Sequence, residues 1–186
     1  MSLIAKGAGI VAWRLRHQGL WVTFIWAWAR VYNWVVGRPV LRYSSITPQL
    51  YVGGQMSASG WQWLAARGLT ADLNLRSEFD DAAQGIAPQS YLWLPTDDDH
   101  APAMEQFQAG VDFIRRNIES GGKVYVHCAG GVGRAPTMAV AYLISTGLSV
   151  EQAWALVRAT RPFVTPTPPQ LAALERFAAD HRGEKA

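Results

Sequence analysis

Residues 18–36 form an apolar stretch interrupted only by Gln18, Thr23, Arg30 and Asn33. At a helical period those four polar positions fall on one side, and Leu20, Phe24, Trp28, Val31 and Val35 gather on the other. This predicts an amphipathic helix, ended by Gly37-Arg38-Pro39. After it the period shortens and alternates. Residues 46–52 read as a strand closed by Gly53-Gly54. Ser57 is positioned to cap a helix running to Arg67, with Gly68 as its stop. Residues 71–75 and 91–94 read as short strands. A helix starts at Pro102 and runs to about Glu119, with Phe107, Val111, Ile114 and Ile118 on one face. Gly121-Gly122 turns the chain into a β-rich run, 123–127. A helix over 134–145 follows. Two further helices start at capping-box pairs, Ser149 with Gln152 and Thr167 with Gln170. Strands alternating with helices at these lengths predict an α/β fold, a mainly parallel central sheet flanked by helices.

Composition narrows this picture. With 186 residues, 49% of them hydrophobic and 17% charged, the chain holds enough apolar material for one core plus an added segment. Residues 1–42 read as that segment and residues 43–182 as the α/β domain. The only cysteine is Cys128, which excludes an intrachain disulfide framework and a multi-thiolate zinc site. His17, His100, His127 and His181 lack metal-ligand spacing, so no metal is expected.

The net charge of +3 is unevenly spread. Lys6, Arg14, Arg16, Arg30, Arg38, Arg42 and Arg67 all precede Asp72, the first carboxylate. That leaves 17 − 7 = 10 cations against 14 acids in the remainder, a net −4. A basic leading segment on an acidic body points to an anionic surface as partner. Nucleic acid is not expected, because aromatic residues rather than a dense Lys/Arg patch accompany the charge. Trp13, Trp21, Trp26, Trp28 and Trp34 belong to this segment, which suits an interfacial helix with basic flanks. A helix packed on the domain's own core, a single transmembrane span with Arg30 snorkelling, and a cleaved signal peptide ending at Ala27-Trp28-Ala29 are the other readings. The expected location is membrane-associated on the cytoplasmic face, either peripheral or through that span.

The chemistry concentrates in Val124-Tyr125-Val126-His127-Cys128-Ala129-Gly130-Gly131-Val132-Gly133-Arg134. A buried strand delivers Cys128 to its C-terminal end. Five small residues follow, three of them glycine, and then an arginine opens a helix. Such a loop turns successive N–H groups inward around a tetrahedral anion. The helix N-terminus adds partial positive charge, and Arg134 offers a planar fork to two phosphate oxygens. A thiolate beneath the bound phosphate is set for in-line attack and a phosphocysteine intermediate. Ala129, Gly130, Gly131, Val132, Gly133 and Arg134 are the candidate phosphate binders. His127 is expected to orient the loop and tune the thiolate rather than act as a base. The leaving oxygen needs a proton donor. The cluster Asp97-Asp98-Asp99-His100 follows a strand and can hang over the sheet's C-terminal edge. Chemistry alone does not choose among its three acids.

His127-Cys128 through Arg134 resembles the H-C-x5-R signature of cysteine-based protein tyrosine phosphatases, and the chain is most similar to their compact dual-specificity branch over residues 43–180. That resemblance implies a metal-free, cofactor-free reaction on a phosphorylated substrate. It also implies a general acid about thirty residues before the cysteine in a Pro-x-x-Asp context, which aligns Asp98 with that role. Arg158-Ala159-Thr160-Arg161-Pro162 and Gln170-Leu171 fit the same branch. Ala135 departs from it. A Ser or Thr usually follows the loop arginine and helps the thiolate leave, a task that Thr137 or water would have to take over. Arg-Ala-Pro also occurs in related glucan phosphatases.

The segment Leu94-Pro95-Thr96-Asp97-Asp98 is similar to phosphatases acting on phosphatidylglycerophosphate. Together with the basic, Trp-rich helix it suggests a membrane lipid monophosphate as substrate. The alternatives are a dual-specificity protein phosphatase, a glucan phosphatase, a non-catalytic phosphate-binding module and a rhodanese-like sulfur carrier.

Overall fold

The structure, a computed structural model, describes residues 3–183. Helix α1 (Leu3–Val36) leads through a short 3-10 turn (Leu41–Tyr43) to strand β1 (Leu50–Gly53) and helix α2 (Ala58–Ala65). Strands β2 (Ala71–Arg76) and β3 (Ser90–Thr96) follow, then α3 (Met104–Glu119), β4 (Val124–His127), α4 (Arg134–Ser145), α5 (Val150–Thr160) and α6 (Pro168–Gly183). The four strands form one sheet in the order β1-β4-β2-β3, and every pairing is parallel. The predicted α/β architecture is thus the observed one.

The sheet is covered unequally. Ala71, Leu73 and Leu75 of β2 and Val124 and Val126 of β4 join α3 to α6 in the larger core, with Phe107, Ile114, Met138 and Leu174 among its fully buried members. Tyr125 points to the other face and packs with Trp61, Leu64 and Leu69 around α2. On that second face β2 and β4 carry Asp72, Asn74 and His127, all fully buried. Parallel strands covered on both sides normally read as continuous apolar runs, so this polar face stands out.

Local signals act largely as expected. Ser57 accepts a hydrogen bond from the Gly60 N–H at 3.1 Å, and the Ser149–Gln152 box is complete. The predicted strand over 46–52 is shorter than expected and begins at Leu50. Thr47 turns the chain there, its hydroxyl accepting from the N–H groups of Gln49 and Leu50, and Pro48 has no N–H to give a ladder. The third helix begins at Met104 rather than Pro102, with the Ala103 N–H donating to Gln106 Oε1.

The amphipathic helix extends back to Leu3, but Gly19 breaks it at φ 82°, ψ 169°, a conformation that favours glycine. Among the described residues, no helix is long and apolar enough to cross a membrane. The polar side of the helix faces the domain. Arg14 Nη1 donates to the Phe163 carbonyl at 2.9 Å, Gln18 Nε2 to the Val164 carbonyl and Asn33 Nδ2 to the Gln55 carbonyl at 2.7 Å. Thr23 is buried. Leu20, Trp21, Phe24, Trp28, Val31, Trp34 and Val35 face outward.

Candidate active site

Cys128, only 3% exposed, follows the last residue of β4, and its Sγ accepts the Gly131 N–H at 3.2 Å. The loop's carbonyls all turn away from that sulfur. Ala129 O takes the Gln55 N–H and Val132 O the Thr165 N–H. Gly130 O and Gly131 O are held by Arg161, at 3.3 Å from Nη2 and 2.6 Å from Nε. Gly133 O takes the Thr137 N–H and its hydroxyl. Because N–H and C=O point oppositely across a planar peptide, carbonyls tied outward leave amides turned inward. Gly131 sits at φ 63°, where a Cβ would collide with Gly53 and Arg161, so only glycine fits. The Arg161 guanidinium is fully buried, and burial lowers its pKa to about 10.

Arg134, 1% exposed, begins α4 behind the loop. Nη1 donates to the carbonyls of Thr96 at 2.8 Å and Leu75 at 3.3 Å, and both Nη atoms grip the Glu78 carboxylate at 3.0 and 3.2 Å. Burial opposes the charge of Glu78, but hydrogen bonds from Arg134 and Arg76 win and hold its carboxyl down at about 2. Nη2 also lies 3.0 Å from Asp98 Oδ1. Nε is buried without a partner. A buried donor left unpaired is costly, and this one is free for an incoming anion.

The structure therefore brings Cys128, Arg134 and Asp98 to one place, while Asp97 and Asp99 are exposed and form no side-chain hydrogen bond or ion pair among the described residues. The acid loop is tethered. Thr167 Oγ1 donates to Asp99 O at 2.8 Å, and Gln170 Nε2 to His100 O at 2.9 Å. The second capping box is half-formed for that reason. Gln170 Oε1 still accepts the Thr167 N–H, but the threonine hydroxyl serves the loop instead. Thr137, a candidate substitute for the hydroxyl missing at Ala135, donates its own hydroxyl to Gly133 O at 2.9 Å, away from the sulfur.

His127 lies on the sheet's polar face. Its Nε2 is 2.7 Å from Asp81 Oδ2 and 3.4 Å from Asp72 Oδ1, and its ring stacks on Tyr125. Burial alone would strip its proton. The charges and hydrogen bonds of Asp72 and Asp81 outweigh that and carry its pKa up to about 10, while burial pushes Asp72 up to about 6. One ligand atom from each of Asp72, Asp81 and His127 lies within 4.8 Å of the others, close enough for a metal. The short contact to Asp81 is that of an imidazolium–carboxylate pair. An imidazolium with a folded pKa near 10 and an unfolded one near 6.5 stabilises the fold fully below the lower value, and that stability fades as pH rises toward the upper one. Melting the wild type between pH 7 and pH 10 should show a progressive loss of stability, clearly shallower in Asp81→Asn. Equal slopes would refute the charged pair.

Sequence patterns did not reveal Glu78, Asp72, Asp81 or the loop-facing role of Arg161. Glu78 and Asp81 lie in the loop after β2, where nothing in their spacing signals a partner more than forty residues away.

Comparison with known proteins agrees with this geometry. Residues 50–180 match the family model described as "Dual specificity phosphatase, catalytic domain". The chain is 37% identical over 123 residues to dual specificity protein phosphatase 5 of Rattus norvegicus, covering 65% of this chain and 32% of the relative. Among solved structures it is similar to Tk-PTP in its active form (TM-score 0.65, 28% identity, 72% of this chain and 94% of that one). PTPMT1 in complex with PI(5)P shares the fold (TM-score 0.69, 23% identity, 76% and 97%). The chain spans about a third of the length of the curated relatives it matches. Since the family match runs from β1 into α6 and takes in the whole cysteine loop, this chain belongs to the dual specificity phosphatase catalytic-domain family.

Proposed function

We propose that this chain is a cysteine-dependent phosphatase that removes the monoester phosphate from a membrane lipid, of the phosphatidylglycerophosphate kind, on the cytoplasmic face of an anionic membrane. Cys128 Sγ attacks phosphorus as the ester P–O bond breaks, and Asp98 gives its proton to the leaving oxygen. Water then attacks the phosphocysteine, Asp98 takes its proton, and the Sγ–P bond breaks to release phosphate and thiolate. The inward amides of Gly130 to Arg134 and the Arg134 guanidinium neutralise the phosphoryl oxygens through both steps. Asp98, 76% exposed, is paired with Arg134 and gives up that contact as the substrate phosphate takes the guanidinium.

The lipid reading is carried by the outward stripe of α1. Leu20 is 78% exposed and Trp34 85%, and Trp21, Phe24, Trp28, Val31 and Val35 are exposed with them. A contiguous apolar face with aromatic residues and flanking cations suits the headgroup boundary of a bilayer, and Arg16, Arg38 and Arg42 supply the charge. The uncharged loop residues Ala129, Gly131 and Val132 favour a substrate with one monoester over a polyphosphorylated headgroup. PTPMT1, whose fold this chain shares, was solved with PI(5)P bound.

A second reading, hydrolysis of phosphotyrosine and phosphoserine or phosphothreonine in proteins, is favoured by the identity to dual specificity protein phosphatases. The full chain should be assayed on phosphatidylglycerophosphate in anionic vesicles and on a phosphotyrosine peptide. The expected kcat/KM favours the lipid by about tenfold or more, a difference of about 1.4 kcal/mol. A preference for the peptide would replace the first reading by the second.

A further inference from the structure

Beside the anion loop lies a cleft of about 480 Å³ whose wall is helix α1. Trp34, Val40, Tyr43 and Phe163 make it apolar, and Ala129 and Gly130 of the loop form one end of it. Arg30 projects from α1 toward that end. A Cβ built on Gly130 would lie 3.0 Å from its Nη1. Arg30 has no hydrogen bond or ion pair among the described residues. Its charge is felt by another cation, Arg14, whose guanidinium is lowered to about 10 by burial and by the charge of Arg30. No carboxylate occurs in residues 1–71 to neutralise either.

We infer that Arg30 is a specificity-determining residue, contributed by the N-terminal helix, that binds a second anionic group of the substrate beside the monoester while the adjoining apolar cleft takes the ester's hydrocarbon part. This rests on the lipid reading above and narrows it to a class, an acylated phosphate monoester that also carries a phosphodiester. An unpaired guanidinium beside an anion loop is matched by a second phosphate oxygen, to which it offers a planar pair of donors. The first phosphate is already served by Arg134 and the loop amides. The helix thus does more than hold the domain at a surface, because it completes the site.

The test compares two lipid monoesters in identical neutral detergent micelles, so that bulk membrane charge is constant. Phosphatidylglycerophosphate carries a phosphodiester besides its monoester, and phosphatidic acid does not. The wild-type chain should favour the former, and the ratio of the two kcat/KM values should fall about tenfold in Arg30→Gln, mostly through KM. Arg30→Lys should restore much of the ratio, since it keeps the charge. Arg30 is exposed, and the melting temperatures of the variants report whether the fold is intact. A ratio unchanged in Arg30→Gln, whether both activities fall together or neither does, overturns the assignment of Arg30 and leaves the lipid reading standing. A wild type that turns over neither lipid but acts on the phosphopeptide overturns both.

Discussion

Cys128→Ser lowers kcat by roughly 10⁴-fold or more, the scale on which loss of a covalent nucleophile is felt. The substitution changes one atom. A serine oxygen can still accept the Gly131 N–H that Sγ accepts at 3.2 Å, so the loop keeps its shape. What disappears is the sulfur nucleophile, because an alcohol oxygen attacks phosphorus far less readily than a cysteine sulfur. Binding of a non-hydrolysable oxyanion such as vanadate or tungstate should persist within a few-fold, since Arg134 and the amides are untouched. Turnover is read with an aryl phosphate and affinity by calorimetry. Activity within tenfold of wild type would show that Cys128 is not the nucleophile.

Arg134→Ala is the second large effect, and it acts on both binding and folding. The guanidinium is 1% exposed and ties together the Leu75 and Thr96 carbonyls, Glu78 and Asp98. Its removal leaves two backbone carbonyls without their donor, at about 1–3 kcal/mol for each that stays dry. The contacts to Glu78 and Asp98 add less, because both carboxylates are partly exposed and solvent screens them. Loss of the fork that meets the phosphoryl oxygens should cost roughly 10³-fold or more in kcat/KM. Arg134→Lys keeps the charge but cannot reach Thr96 O and Glu78 with the same planar geometry. It should therefore recover stability more than activity. Asp98→Asn, which removes only the proton donor, should cost roughly 10²-fold. A fully active Arg134→Lys would contradict bidentate binding at this position.

The parts of this site that could be read from the sequence are those whose cause is local. The Cys128–Arg134 loop announces itself because glycines, a preceding apolar strand and a following helix lie within eleven consecutive residues. The caps at Ser57 and Ser149 are local for the same reason. The parts that could not be read are tertiary pairs. Arg161 turns the Gly130 and Gly131 carbonyls outward from thirty residues away. Glu78 meets Arg134 across fifty-six. Asp72 reads as an ordinary polar position in a strand, and only the fold shows that it faces His127 and Asp81 inside the protein. Helix α1 is an intermediate case. Its two faces can be separated by period alone, but which one meets protein depends on the surface supplied by Gln55, Phe163 and Val164. The acid is legible only through the family resemblance, which aligns Asp98 with that role. Three adjacent aspartates are equivalent in chemistry, and the contact of Asp98 with Arg134 distinguishes it geometrically.

The most direct measurement is rapid acid quench of the wild-type protein during turnover, followed by mass analysis of the peptide that carries Cys128. A phosphoryl group on the Cys128 sulfur, appearing at the rate of the first product and absent in Cys128→Ser, is the predicted result. An unmodified Cys128 peptide at every quench time, or a phosphoryl group on another side chain, would contradict a phosphocysteine mechanism for this chain.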